Sequence, residues 1–113
     1  SDEREGLVRQ YLNKKVPEDW DEMTLQERRN FLDGTDFGPV HREGTVLRTH
    51  ICNMAIWAEC FGKDPASIKI ADSYAISGIM KKMPEWNKYE GNKNGTMVFS
   101  LYGKQRAYEK GNK

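Results

Sequence analysis

The stretch ICNMAIWAECF, residues 51–61, is apolar at nine of its eleven positions, the exceptions being Asn53 and Glu59. A run that dense has no water-facing side, so it reads as a helix at the buried centre of the fold. The rest of the chain must be arranged to cover it. We expect the helix to span residues 49–61, with Ile51, Ala55, Ala58 and Phe61 in the core and Trp57 packed by the hairpin or the first helices. Gly62 follows at a C-cap position and Pro65 opens a brief turn. ADSYAISGIMKKM then resumes helical spacing, with Asp72 or Ser73 as N-cap and Pro84 closing it. At 100° per residue, Ile76, Ile79, Met80 and Met83 gather on one side; Tyr74, Gly78, Lys81 and Lys82 face the other, with Ser77 at the border. Two helices joined by a short turn make a helix-turn-helix.

Upstream, Leu7, Val8, Tyr11 and Leu12 form an apolar helical stripe that VPEDW interrupts. Thr24 stands three residues before Glu27, a capping-box spacing, and the helix it opens runs to Asp33-Gly34. Residues 33–45 carry three glycines and a proline without any period and read as a loop; VLRTH, residues 46–50, reads as a short strand. Downstream of Pro84 come strand-like pieces on either side of EGNKNG, with a second break at Gly103. Helix-turn-helix followed by a hairpin is the winged-helix order, in which the second helix of the pair enters the major groove.

Composition narrows the function. At 113 residues the chain has room for one modest core. No apolar run approaches the ~20 residues of a membrane span. The chain opens on the acidic SDEREG with neither an initiator Met nor a secretory leader, and reads as a segment of a longer cytoplasmic protein. Cys52 and Cys60 lie in one helical stretch, about 12 Å apart over eight residues, beyond the reach of a disulfide. They read as packing thiols. His41 and His50 add no CxxC or HxxxH spacing to them, so neither a metal nor any other cofactor is expected. The chain has no GxxxxGK[ST], GxSxG or HExxH, and its paired acids Glu18-Asp19 and Asp21-Glu22 suit a helix approach better than a catalytic pair. Net charge is uneven: residues 1–44 carry −4 and residues 45–113 carry +5. A basic C-terminal half suits a polyanionic partner.

The candidate DNA-contacting residues follow. Ser73 is placed to offer a helix N-terminus to a phosphate. Tyr74 and Ser77 can read base edges, and Lys81 and Lys82 can neutralise phosphates. On the hairpin, Lys88 and Lys93 lie with Asn92 and Asn94 at the tip, and Lys104, Gln105 and Arg106 form a second basic cluster. The competing reading for both sets is a charged, solvated surface with no ligand.

Several stretches, YLNKKVPEDWDEMTLQERRNFL, ICNMAIWAECFGKDPASIKIADSYAISGIMKKMPEW and LYGKQRAY, together resemble the C-terminal region of the virulence-associated protein E family. These are replication proteins of phages and mobile elements, of the primase–helicase type. The marks that carry the resemblance include Pro17, Trp20, Arg28 to Leu32, Ile56-Trp57, Glu59, Phe61 to Asp64, Trp86 and Tyr102 to Arg106. One departure is Ala55, where similar proteins often place an acid. The resemblance implies a P-loop ATPase domain upstream, absent from this chain, as partner and as the seat of any catalysis.

The expected fold is therefore α+β and mostly helical, one winged-helix-like domain. Its parts are N-terminal helices (1–34), a loop and short strand (35–48), a helix-turn-helix (49–83) and a β-hairpin wing (84–110). The expected function is non-enzymatic DNA binding in a replication protein. The alternative is a docking or oligomerisation module for the same ATPase with no DNA contact.

Overall fold

Strand β4 (Gly103–Lys110) organises the molecule, because every other strand of the sheet pairs with it. The computed structural model describes residues 3–36 and 41–111. β1 (His50–Cys52) lies antiparallel along one edge of β4, with Ile51 opposite Tyr108 and Cys52 opposite Ala107. β2 (Trp86–Lys88) and β3 (Thr96–Phe99) also pair antiparallel with β4, placing Lys88 opposite Tyr108 and Thr96 opposite Arg106. Ala107 accepts from Tyr89 N–H and donates to the Gly95 carbonyl, both at about 3 Å. Since one residue's N–H and C=O point the same way in a strand, β2 and β3 follow each other along the same edge. The architecture is α+β, with helices packed on a four-stranded antiparallel sheet.

Helix α1 (Glu3–Asn13) turns Val8, Tyr11 and Leu12 inward. Helix α2 (Leu25–Asp33) opens with the expected capping box: Thr24 Oγ1 accepts from Glu27 N–H, and Glu27 Oε1 accepts from Thr24 N–H. It ends at Gly34, whose φ of 73° is a left-handed conformation that suits glycine at a helix end. Between α1 and α2, Trp20 meets Phe31 edge-on at 5.9 Å, and with Val16 and Met23 they form a small second core. The described part of the 35–48 loop makes one bridge, Val46 with Val16; residues 37–40 of that expected loop lie outside the described residues.

The dense apolar run departs from expectation at its start. Ile51 and Cys52 belong to β1, and the helix begins only at Asn53. It runs as α3 (Asn53–Ala55) and continues as a π-helical turn (Ile56–Cys60), closed by Phe61 N–H on the Ile56 carbonyl. A fully buried strand and a buried helix carry the same apolar signal, and here pairing with β4 decides between them. Trp57 is half-buried and packs against the main core, which includes Val8, Tyr11 and Leu12 of α1 and Tyr102 of the hairpin. Its Nε1 donates to the Asp64 carbonyl and to Ser67 Oγ, stapling the turn before α4 (Ile70–Met80). That helix starts at Ile70, earlier than Asp72 or Ser73 would place it, and Asp72 accepts from Lys69 N–H from inside the first turn. Ile76, Ile79, Met80 and, just beyond, Met83 join Val8, Leu12, Ile51, Ile56 and Trp86 in the main core.

The hairpin also differs. EGNKNG carries the strongest turn signal, yet it links β2 to β3, which do not pair with each other. The true hairpin is β3–β4, turning at Ser100, Leu101 and Tyr102, with Gly103 at φ 71°. At its tip Ser100, Leu101 and Gly103 are exposed, while Tyr102 is turned inward, 8% exposed and held by the core.

Candidate nucleic-acid interface

Alternate residues of a strand share a face, and directly opposed residues on antiparallel neighbours point the same way. Tyr108 Oη lies 3.2 Å from Ser77 Oγ, so the Tyr108 face of β4 is the one that α4 covers. Lys104, Arg106 and Lys110 occupy that same face, and Lys88, opposite Tyr108, joins them. Arg106 and Lys104 lie about 7 and 14 Å along the strand from the Ser77 contact. Glu109, the one acid of β4, points the other way, to His50 Nε2 at 3.1 Å. The strand thus separates its charges: cations on the α4 side, the acid on the other.

The outward side of α4 is apolar with one cation. Ile70 and Tyr74 are 73% and 74% exposed, and Ala71, Gly78 and Lys81 are exposed between and beyond them. A Cβ at Gly78 would meet nothing within 4 Å, so packing within the chain does not require glycine there.

The sequence-derived candidates divide accordingly. Tyr74, Lys81, Lys88, Lys104 and Arg106 are exposed on the α4 side, and Lys93 is exposed in the β2–β3 loop. Three others are turned inward. Ser73 sits inside α4, its N–H bonded to the Lys69 carbonyl, so it has no free helix-terminal donor for a phosphate. Its hydroxyl and that of Ser77 accept from Asn53 Nδ2 at 2.9 and 3.0 Å, joining α4 to α3. Gln105 lies on the opposite face of β4 from Lys104 and Arg106, and its amide donates to the Tyr102 carbonyl at 2.9 Å. Lys82 turns toward α1, with Nζ 3.8 Å from Glu5 Oε1. The two basic clusters are therefore one surface only in part.

A buried polar node underlies this surface. Glu59 is 6% exposed and accepts from Tyr11 Oη and Tyr102 Oη, each at 2.6 Å, and from Arg28 Nη1 at 2.7 Å. Arg28 is itself buried; its Nε donates to the Trp20 carbonyl and its Nη2 to Ser100 Oγ. Four parts of the chain, α1, α2, the π turn and the hairpin tip, thus meet on one carboxylate. Burial, reinforced by Glu59, holds the Tyr11 and Tyr102 phenols well above their ordinary range. In the sequence Glu59 stands as an exception within an apolar run. Such an exception is itself a signal, since an acid at a buried position requires donors. Arg28, Glu59 and Tyr102, all among the residues that carry the family resemblance, are architectural here.

The two cysteines are free, and burial pushes Cys52 up to about 12 and Cys60 up to about 11. Both stay protonated through neutral pH. Iodoacetamide at pH 8 is therefore expected to leave the native protein unmodified and to alkylate both thiols once urea unfolds it, read by intact mass. Rapid native modification would contradict the packing. Among the described residues no three His, Cys, Asp or Glu side chains are grouped to hold a metal ion, and no helix is long and apolar enough to cross a membrane. Compared with protein-family models and with curated proteins, the sequence matches none.

Proposed function

We propose that this chain is a non-catalytic DNA-binding domain of winged-helix type. In this reading α4 is the recognition helix and the α4-side face of the β3–β4 hairpin is the wing. The observation that carries it is the charge separation on β4, which puts Lys88, Lys104, Arg106 and Lys110 on the α4-side face of the sheet and turns Glu109, the strand's own acid, to the other. Element order supports it too: a strand, a helix pair and a closing hairpin that pairs back to that strand. The hairpin tip is tied to Glu59, so the wing would work through its face and not its tip. Tyr74 and Lys81 would meet base edges or phosphates, and bare backbone at Gly78 would allow close approach. If the resemblance to the virulence-associated protein E family holds, such a domain would sit beside an upstream P-loop ATPase, where any catalysis would reside.

The competing reading is a docking or oligomerisation module with no DNA contact. Exposure of Ile70, Tyr74 and Val98 on the α4 side favours it. Anisotropy of labelled 20-base-pair duplex and single-stranded DNA, titrated between 50 and 200 mM salt, separates the two. Four or five phosphate contacts predict a log–log slope of about −4 on duplex. Absence of binding at the lowest salt would remove the DNA reading and leave the docking module.

A further inference from the structure

Arg48 is buried and forms no ion pair with any carboxylate of the described residues. It is 8% exposed, and its Nη2 donates to the backbone carbonyls of Tyr11 and Lys14 near the end of α1. Its guanidinium stacks over the Tyr11 ring at 4.2 Å. Nε and Nη1 are buried without any hydrogen-bond partner, and no carboxylate among the described residues pairs with it. A guanidinium cannot shed its charge. Arg28, by contrast, is matched by Glu59.

Arg48 also forms part of the wall of a groove of about 440 Å³, bounded by residues 16–21, residues 46–50 and β3. Val16, Val46, Leu47, Met97 and Phe99 make its surface largely apolar. One side is an open strand edge. Gly95 directs its carbonyl toward β4, so alternation turns the backbone groups of Thr96 and Val98 outward. The Asn92 side chain takes up both outward groups of Thr96. Those of Val98 meet no partner among the described residues, and its side chain is 78% exposed.

We propose that this groove receives an extended peptide segment of a partner protein. The segment adds as a strand along Val98 and seats one carboxylate on Arg48. Strand addition supplies the backbone bonds, the apolar walls take alternate side chains, and the carboxylate supplies the missing countercharge. Glu18 and Asp21 at the rim oppose a polyanion, which favours a peptide with a single acid over a nucleic-acid backbone. Met97 and Phe99 lie on the face of the hairpin away from Lys104 and Arg106, whereas Val98, opposite Lys104, shares the face proposed for DNA, so the groove and that surface adjoin along β3.

The test selects ten-residue peptides with free carboxyl termini from a random displayed library against the full chain, then measures the enriched peptides by fluorescence polarisation. Each is compared with its C-terminal amide and with Asp→Asn or Glu→Gln versions, which tell a terminal from a side-chain carboxylate. Neutralising the one seated carboxylate should weaken binding about 10- to 100-fold. Val98→Pro, an exposed edge change that removes the outward N–H, should weaken it roughly 2- to 10-fold. Arg48→Met should abolish carboxylate discrimination; because Arg48 also ties down α1, Val98→Pro and the neutralised peptides decide the matter if that variant fails to fold. Failure to enrich any peptide overturns the proposal, as does binding indifferent to every carboxylate or to Val98→Pro.

Discussion

Arg28→Met is expected to cost about 3–5 kcal/mol of folding stability, because it strands the buried Glu59 carboxylate without its cation. Two phenols would still donate to Glu59, but neither carries charge. At about 4–8 °C per kcal/mol for a domain near this size, the melting midpoint should fall by at least ~12 °C. Replacing both members of the pair, Arg28→Met with Glu59→Leu, should recover much of the loss, since no buried charge is then left alone. A single variant that melts within a degree or two of the parent would show that the node contributes little. The same node limits the protein at high pH. Tyr11 and Tyr102 are held protonated when folded, whereas unfolded phenols ionise near ~10. The unfolded state therefore sheds protons first, and stability that is full below that range declines as pH rises toward the raised folded values. Urea midpoints taken at pH 7, 9 and 10.5 should show it.

Lys104→Glu with Arg106→Glu should weaken duplex binding by about 60-fold at 0.1 M salt, counting only the loss of two phosphate contacts. The salt slope should flatten by about two units. Repulsion from the new carboxylates adds to this, and the effect should be the same on every duplex sequence, because phosphates carry no sequence. Thermal stability should barely move, since both side chains are exposed and unpaired charge at a surface contributes little. Tyr74→Ala should instead change which duplex is preferred. Ser77→Ala and Gln105→Ala work the other way round: they remove internal hydrogen bonds and should lower stability while leaving the salt slope alone. Binding unchanged by the double reversal would sink the assignment of this face.

What could be read from the sequence was what local chemistry decides. Thr24 and Glu27 cap α2 because that interaction closes within four residues. The order of helices and strands followed from periodicity and from Gly and Pro punctuation. The division of Ile51–Cys52 from Asn53 could not follow, because both sides of it are apolar and the deciding partner is β4, some 55 residues away. Gln105 was grouped with Lys104 and Arg106 by adjacency in sequence, whereas a strand sends neighbours to opposite faces. Ser77 lay on the border of a helical wheel, and Asn53 and Tyr108 pulled it inward. The inward turn of Tyr102 could not follow from local sequence, because its anchor, Glu59, is distant in the chain and unusual in kind.

β4 closes the sheet alone, and its position in the chain sets a timetable. Among the described residues β1, β2 and β3 have no sheet partner but β4, so none has a ladder until residues 103–110 have left the ribosome. A nascent chain stopped at Leu101 would hold three strands without their sheet partner and a Glu59 lacking the Tyr102 hydroxyl that follows it by 43 residues. Folding during synthesis is thereby postponed to the last strand. Strand pairing then becomes one concerted event across long sequence separations, a wiring that slows acquisition of structure and leaves no half-built sheet to persist.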